Sequence, residues 1–137
     1  MAYTFRNINQ QDVPKVRKFF ERFNGQFPYS PNFYGHVPMV AGFDNDQLVL
    51  AATAYKITEE SPCSISHPDA ILVSDLLIHP EFRGIGIPKE FIGWLKKVHP
   101  ERNEIIGNPL TPRVADWAKR AFGAKEDELG RLIINIR

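Results

Sequence analysis

The segment Asp75-Leu-Leu-Ile-His-Pro-Glu-Phe-Arg-Gly-Ile-Gly-Ile-Pro88 restricts this chain more than any other stretch, because an apolar run leads into a glycine-punctuated turn and then into a helical pattern. Residues 71–78 are rich in leucine and β-branched side chains, with the length of one strand. Period two sends Val73, Asp75 and Leu77 to one face and Leu72, Ser74, Leu76 and Ile78 to the other. Beyond the turn, Phe91, Ile92, Leu95 and Val98 recur at helical spacing and His99-Pro100 ends the run. Pro88 is expected at the first helical position, where its missing N–H breaks no ladder bond. Strand, tight turn and helix in this order aim backbone N–H groups and the positive helix end at one point, which suits an anion. Gly84 and Gly86 permit the turn and Arg83 adds a fixed charge. A strand-to-helix turn also takes glycine for steric reasons alone, so R-G-x-G by itself fits both readings.

The remaining segments alternate between strand and helix signals. Tyr3 to Ile8 reads as an edge strand, and Asp12 as the cap of a helix whose first turn holds Pro14. Val13, Val16, Phe19, Phe20 and Phe23 form that helix's apolar stripe, with Lys15, Arg17, Lys18 and Arg22 over the rest of its surface. Residues 24–38 hold Phe27, Tyr29, Phe33, Tyr34 and His36 without a clean period and read as a long loop. Met39 to Phe43 and Gln47 to Ile57 form a hairpin across Asp44-Asn45-Asp46, followed by an exposed connection over residues 58–71. Glu104 to Gly107 is a short strand, and Arg113 to Phe122 a helix with Val114, Trp117, Ala118 and Ala121 facing inward. Gly123 caps it in the left-handed conformation, and Arg131 to Ile136 supplies the last strand.

Length and charge narrow the function. A chain of 137 residues reads as one domain, able to bury roughly 68% of the surface that its unfolded form exposes. Seventeen basic against sixteen acidic residues leave a net charge of +1. That gives no electrostatic case for nucleic acid or an anionic membrane, so neither is an expected partner. Cys63 stands alone, which excludes an internal disulfide. Neither a secretory leader nor a run of eighteen apolar residues is visible, so a soluble, cytoplasmic protein is expected.

Over about fifteen residues, the Asp75–Pro88 segment resembles motif A of the GCN5-related N-acetyltransferase (GNAT) superfamily: an acidic residue, an apolar strand, H/D-P-E-x-R-G-x-G-x-G/A, then a helix. The order of elements resembles that family along nearly the whole chain. The resemblance implies an α/β (α+β) fold: a single GNAT-like domain over residues 1–137, with a central mixed, mostly antiparallel sheet of about six strands and three to four flanking helices. It implies acetyl-CoA as cofactor, with the backbone from Arg83 through Gly84, Ile85 and Gly86 to Ile87 on the pyrophosphate. Leu77 and Ile78 would offer strand groups to the pantetheine arm, and one of their N–H groups to the thioester oxygen. The implied activity is transfer of an acetyl group to a small-molecule or protein amine by direct attack in a ternary complex. GNAT proteins are often dimers, which leaves a homodimer open.

Several positions depart from the family pattern. On the motif A strand only Asp75 is acidic; it can serve as the general base, or cap a loop or pair with a basic neighbour. His36, within the aromatic loop, is another residue that can act as a base. Pro88 stands where the family has a last small residue and removes one N–H from the anion site. Lys119 replaces the tyrosine that commonly protonates the leaving thiolate, and Pro112 replaces an asparagine. Lys119 can act as that acid, hold a phosphate or simply face water. Glu126-Asp127-Glu128 forms either an acidic rim suited to a cationic acceptor or a soluble turn. These replacements keep open a reading from another class: a catalytically impaired GNAT-fold protein with a binding or structural role, as in some tailed phages. No metal site is expected.

Overall fold

A computed structural model describes residues 3–25, 27, 38–56, 67–83, 86–107 and 112–137. His36, Cys63, Gly84 and Ile85 lie outside the described residues. The chain divides into two compact units, Met1–Ala54 with Asp75–Leu95 and Tyr55–Ser74 with Lys96–Arg137.

In the first unit β1 (Thr4–Asn7) pairs antiparallel with β2 (Met39–Asp44), from Thr4↔Phe43 to Asn7↔Val40. A turn at Asn45-Asp46 returns β2 antiparallel onto β3 (Gln47–Lys56). Helix α1 (Val13–Asn24) buries Val13, Val16, Phe19 and Phe20 against Met39, Ala41 and Phe43 of β2 and Leu48 and Ala51 of β3. The predicted stripe is thus the one that packs. Phe5 lies opposite Gly42, on the other face of β2, and meets Phe91 and Trp94 of α2 (Ile87–Val98) at ring-centroid distances of 5.7 and 6.1 Å. Both faces of the hairpin are therefore covered, which is why β3 is buried without interruption from Leu48 to Ala54 and reads as a continuous apolar run.

The helix cap differs from expectation. Asp12 makes no side-chain bond to the first turn of α1. A 3-10 turn, Gln10–Asp12, precedes the helix, and Asn9 caps that turn by accepting from the N–H groups of Gln11 and Asp12 at 2.9 and 3.2 Å. The Asp12 carboxylate instead accepts from the Asn9 N–H at 2.9 Å and from the Arg6 guanidinium at 2.7 Å. Cap and carboxylate satisfy each other, so the start signal is displaced by one turn.

In the second unit the beginning of β4 (Ala70–Ile78) pairs in parallel with β5 (Glu104–Gly107), in the register Ala70↔Glu104 to Leu72↔Ile106. β5 pairs antiparallel with β7 (Leu132–Asn135), and β7 with the two-residue β6 (Lys125–Glu126). Helix α3 (Pro112–Phe122) ends at a left-handed Gly123, φ 67°, where the N–H groups of Gly123 and Ala124 donate to the carbonyls of Lys119 and Ala118. Its inward face is made by Ala115 and Ala118 against Ala124 and Leu132. Trp117 and Ala121, expected inside, are exposed; Trp117 rests edge-on against Phe122 at 5.4 Å. Small residues let the helix approach the sheet, and the indole finds its cover on its own helix.

The strand order β1-β2-β3-β4-β5-β7-β6 makes a mixed sheet of seven strands, one more than the pattern predicts because β6 is too short to read from sequence. Three α-helices accompany it, and β4–β5 is its parallel pair among the described registers. Among the described residues no helix is long and apolar enough to cross a membrane.

Candidate functional site

The end of β4 carries the first group of site residues. Leu77 is buried in the α1 core, so its side chain anchors the strand and only its backbone is available to a ligand. Ile78 is half-buried. Two residues before Leu77 the strand breaks its regularity: Asp75 has φ 53°, in the left-handed region. Aspartate tolerates that region better than most residues, yet a side chain there still costs about 1–2 kcal/mol. The carboxylate of Asp75 is exposed, not sunk into the apolar face that strict alternation assigns to it.

The turn after β4 is built by His79. Its N–H donates to the Val49 carbonyl of β3 at 2.9 Å. Its carbonyl accepts from the Phe82 N–H at 2.9 Å, and its ring Nδ1 accepts from the Glu81 N–H at 3.1 Å. The bonds hold a short 3-10 turn, Pro80–Phe82, whose exit is Arg83 in extended conformation. Arg83 Nε donates to the Ile78 carbonyl at 3.3 Å, which lays the exposed guanidinium across the end of β4. The ring of His79 is buried, with Phe19, Phe23 and Phe82 around it. Sequence reading singled out the H-P-E motif without giving its histidine a task; a histidine directly before a proline at a strand end is the signal for a turn cap.

Gly86 then turns the chain into α2. Its φ of 89° is one that glycine adopts freely, and a Cβ built on it would meet nothing within 4 Å, so conformation and not space selects glycine here. The Gly86 carbonyl accepts from the Glu90 N–H at 3.1 Å. Helix α2 therefore starts at Ile87, and Pro88 is its second residue, one later than expected. The N–H groups of Ile87 and Lys89 belong to the first turn, which has no intrahelical acceptors, and Pro88 between them contributes none. Two N–H groups without an intrahelical acceptor, the positive end of a twelve-residue helix and the Arg83 guanidinium fit a diphosphate.

Thus Asp75, Leu77, Ile78, Arg83, Gly86 and Ile87 all fall in the first unit. Lys119 belongs to the second, on the last turn of α3, where its ammonium lies 3.2 Å from the Glu126 carboxylate. Asp127 is also engaged. One of its oxygens accepts from the Leu129 and Arg131 N–H groups, each at 2.9 Å; the other accepts from Arg131 Nε at 2.7 Å and lies 3.3 Å from His67 Nε2. Burial works to raise its pKa, but the backbone and guanidinium donors of Arg131, the Leu129 N–H and His67 outweigh it and bring it down to about 2. His67 Nδ1 faces Glu104 at 3.6 Å. Two of the three carboxylates in the acidic stretch are therefore engaged within the protein, Glu126 by Lys119 of α3 and Asp127 by its own turn, which fits a soluble turn better than a substrate rim. Among the described residues no group of three or more His, Cys, Asp or Glu is placed to hold a metal.

No protein-family model matches the sequence, and no curated protein matches it. Solved structures do. Arabidopsis thaliana NAA60 in complex with acetyl-CoA superposes with a TM-score of 0.72 at 17% identity, covering 98% of this chain and 99% of that one. Arabidopsis thaliana Naa50, in complex with the bisubstrate analogue CoA-Ac-MVNAL, gives 0.67 at 14% identity over 100% and 99% of the two chains. The diaminobutyrate acetyltransferase EctA of Paenibacillus lautus, in complex with L-2,4-diaminobutyric acid and coenzyme A, gives 0.67 at 13% identity over 98% and 94%. The chain has the fold of these acetyltransferases.

Proposed function

We propose that the chain is an acetyl-CoA-dependent N-acetyltransferase acting on a small-molecule or peptide amine. The observation that carries this reading is the donor set after β4: Arg83 tied to the Ile78 carbonyl, the left-handed Gly86 and the open N–H groups of Ile87 and Lys89. Its support is the fold, since the similar solved structures include acetyl-CoA and coenzyme A complexes. Bound there, acetyl-CoA supplies an activated acyl group and a multiply charged handle remote from it. The chain's residues supply the rest. Arg83, Gly86 and Ile87 bind and orient the diphosphate, together with Gly84 and Ile85. The backbone of Leu77 and Ile78 holds the pantetheine amides, and an N–H of one of them stabilises the developing oxyanion. Asp75 accepts the proton that the amine must lose for direct attack in the ternary complex. Lys119 carries a proton that the departing thiolate can take.

The ion pair between Lys119 and Glu126 favours a second reading, in which the fold binds cofactor or partner without turning it over. The ammonium is already held by a carboxylate 3.2 Å away, a partner other than a leaving thiolate.

One experiment separates the two: thermal unfolding with acetyl-CoA, with coenzyme A and ATP as controls, followed by thiol release from acetyl-CoA across an amine panel. At a hundred times Kd the ligand adds about 2.7 kcal/mol to stability. Selective stabilisation with thiol release supports the enzyme, stabilisation without release supports a cofactor-binding protein, and no stabilisation removes both of these and leaves partner binding.

A further inference from the structure

We infer that His79 is a positioning residue for the cofactor turn, acting through its ring Nδ1; the inference rests on the cofactor reading above. The turn from Ile78 to Arg83 must hold the Arg83 guanidinium in one orientation to receive a diphosphate. Its conformation is fixed at the strand end by two bonds from His79, beside the one that the His79 carbonyl accepts from the Phe82 N–H. The backbone N–H ties the turn to β3 through the Val49 carbonyl at 2.9 Å, and Nδ1 takes the Glu81 N–H at 3.1 Å. The second bond is a side-chain cap, and it requires an unprotonated Nδ1, which places the ring proton on Nε2. The imidazole cannot swing out of the cap, since it is only 6% exposed and Phe23 stands 4.4 Å from it, Phe82 5.3 Å and Phe19 6.4 Å between ring centroids. Two of these rings come from α1. Aromatic packing on α1 thereby sets the angle of a backbone turn whose exit residue, Arg83, reaches back to the Ile78 carbonyl.

Two substitutions separate the cap from the packing. His79→Asn places a side-chain oxygen close to where Nδ1 stands and gives up the ring; His79→Phe keeps a ring and gives up the acceptor. Loss of a cap of this kind is expected to speed exchange of the Glu81 amide and weaken acetyl-CoA binding, each about tenfold. We expect both changes in His79→Phe, with His79→Asn within about threefold of wild type in affinity. Equal binding by His79→Phe and wild type, or equal losses in the two variants, overturns the inference. Should either variant fail to fold, wild-type protein decides it. Cap and ligand are coupled reciprocally, so saturating acetyl-CoA must slow Glu81 amide exchange, and unchanged exchange overturns the coupling. If wild-type protein shows no acetyl-CoA binding, the cofactor reading falls and takes the role of His79 with it. That result is distinct from normal binding indifferent to His79.

Discussion

At the residue scale the two unusual backbone conformations of the site, Asp75 and Gly86, separate chemistry from conformation. Asp75→Asn keeps a residue tolerant of φ 53° and removes the base. The variant should still unfold in one cooperative transition, while thiol release falls about 10²–10⁴-fold. Asp75→Val forces a β-branched residue into the left-handed region and should lose about 1–2 kcal/mol in urea unfolding. An unchanged rate in Asp75→Asn would remove it as the base. Gly86 was legible in the sequence because strand, glycine turn and helix are neighbours along the chain. The kink at Asp75 was not: period two runs through residues 71–78 without a glycine or proline to mark a break, and aspartate is only mildly permissive. At His79 the H-P-E motif marked the cap locally, whereas the rings from α1 that enclose it were hidden.

At the element scale the parallel pair β4–β5 is held close by a missing side chain. A Cβ on Gly107 would stand 2.8 Å from the Val73 carbonyl oxygen, a distance that forces the strands to shift. Gly107→Ala should therefore cost about 1–3 kcal/mol, measured by chemical denaturation, despite adding a single methyl group. The β6–β7 turn makes a prediction in pH. The Asp127 pKa drops from the usual 3.8 to about 2, so the folded state binds its proton less readily than the unfolded chain. The stability it contributes is present above pH 3.8 and is lost as pH falls toward 2. Asp127→Asn should flatten the acid limb of the stability profile in that window, and an identical limb would assign acid unfolding elsewhere. This turn defeated sequence reading because three successive acidic residues look alike on paper, whereas only the fold brings His67 and Arg131 to the middle one.

At the scale of the whole molecule, the order of the longer elements among the described residues was readable because each announces itself locally by period and punctuation. Strand order and the seventh strand were not, since β6 is two residues whose pairing with β7 is a long-range matter. Net charge also acts at this scale. With +1 overall, the chain offers little long-range field to a polyanionic ligand, so attraction rests on local groups such as Arg83 and Lys89. Stopped-flow association of acetyl-CoA should slow only modestly from low to high salt; a steep dependence would reveal a basic surface beyond that turn. The strand order has one more consequence. Its outer strands, β1 and β6, span four and two residues, and the carboxylate paired with Arg6 lies just beyond the first. Edges so brief give an incoming chain few backbone groups to register against, so concentrated solutions should resist fibril growth, and thioflavin fluorescence during prolonged agitation should stay flat.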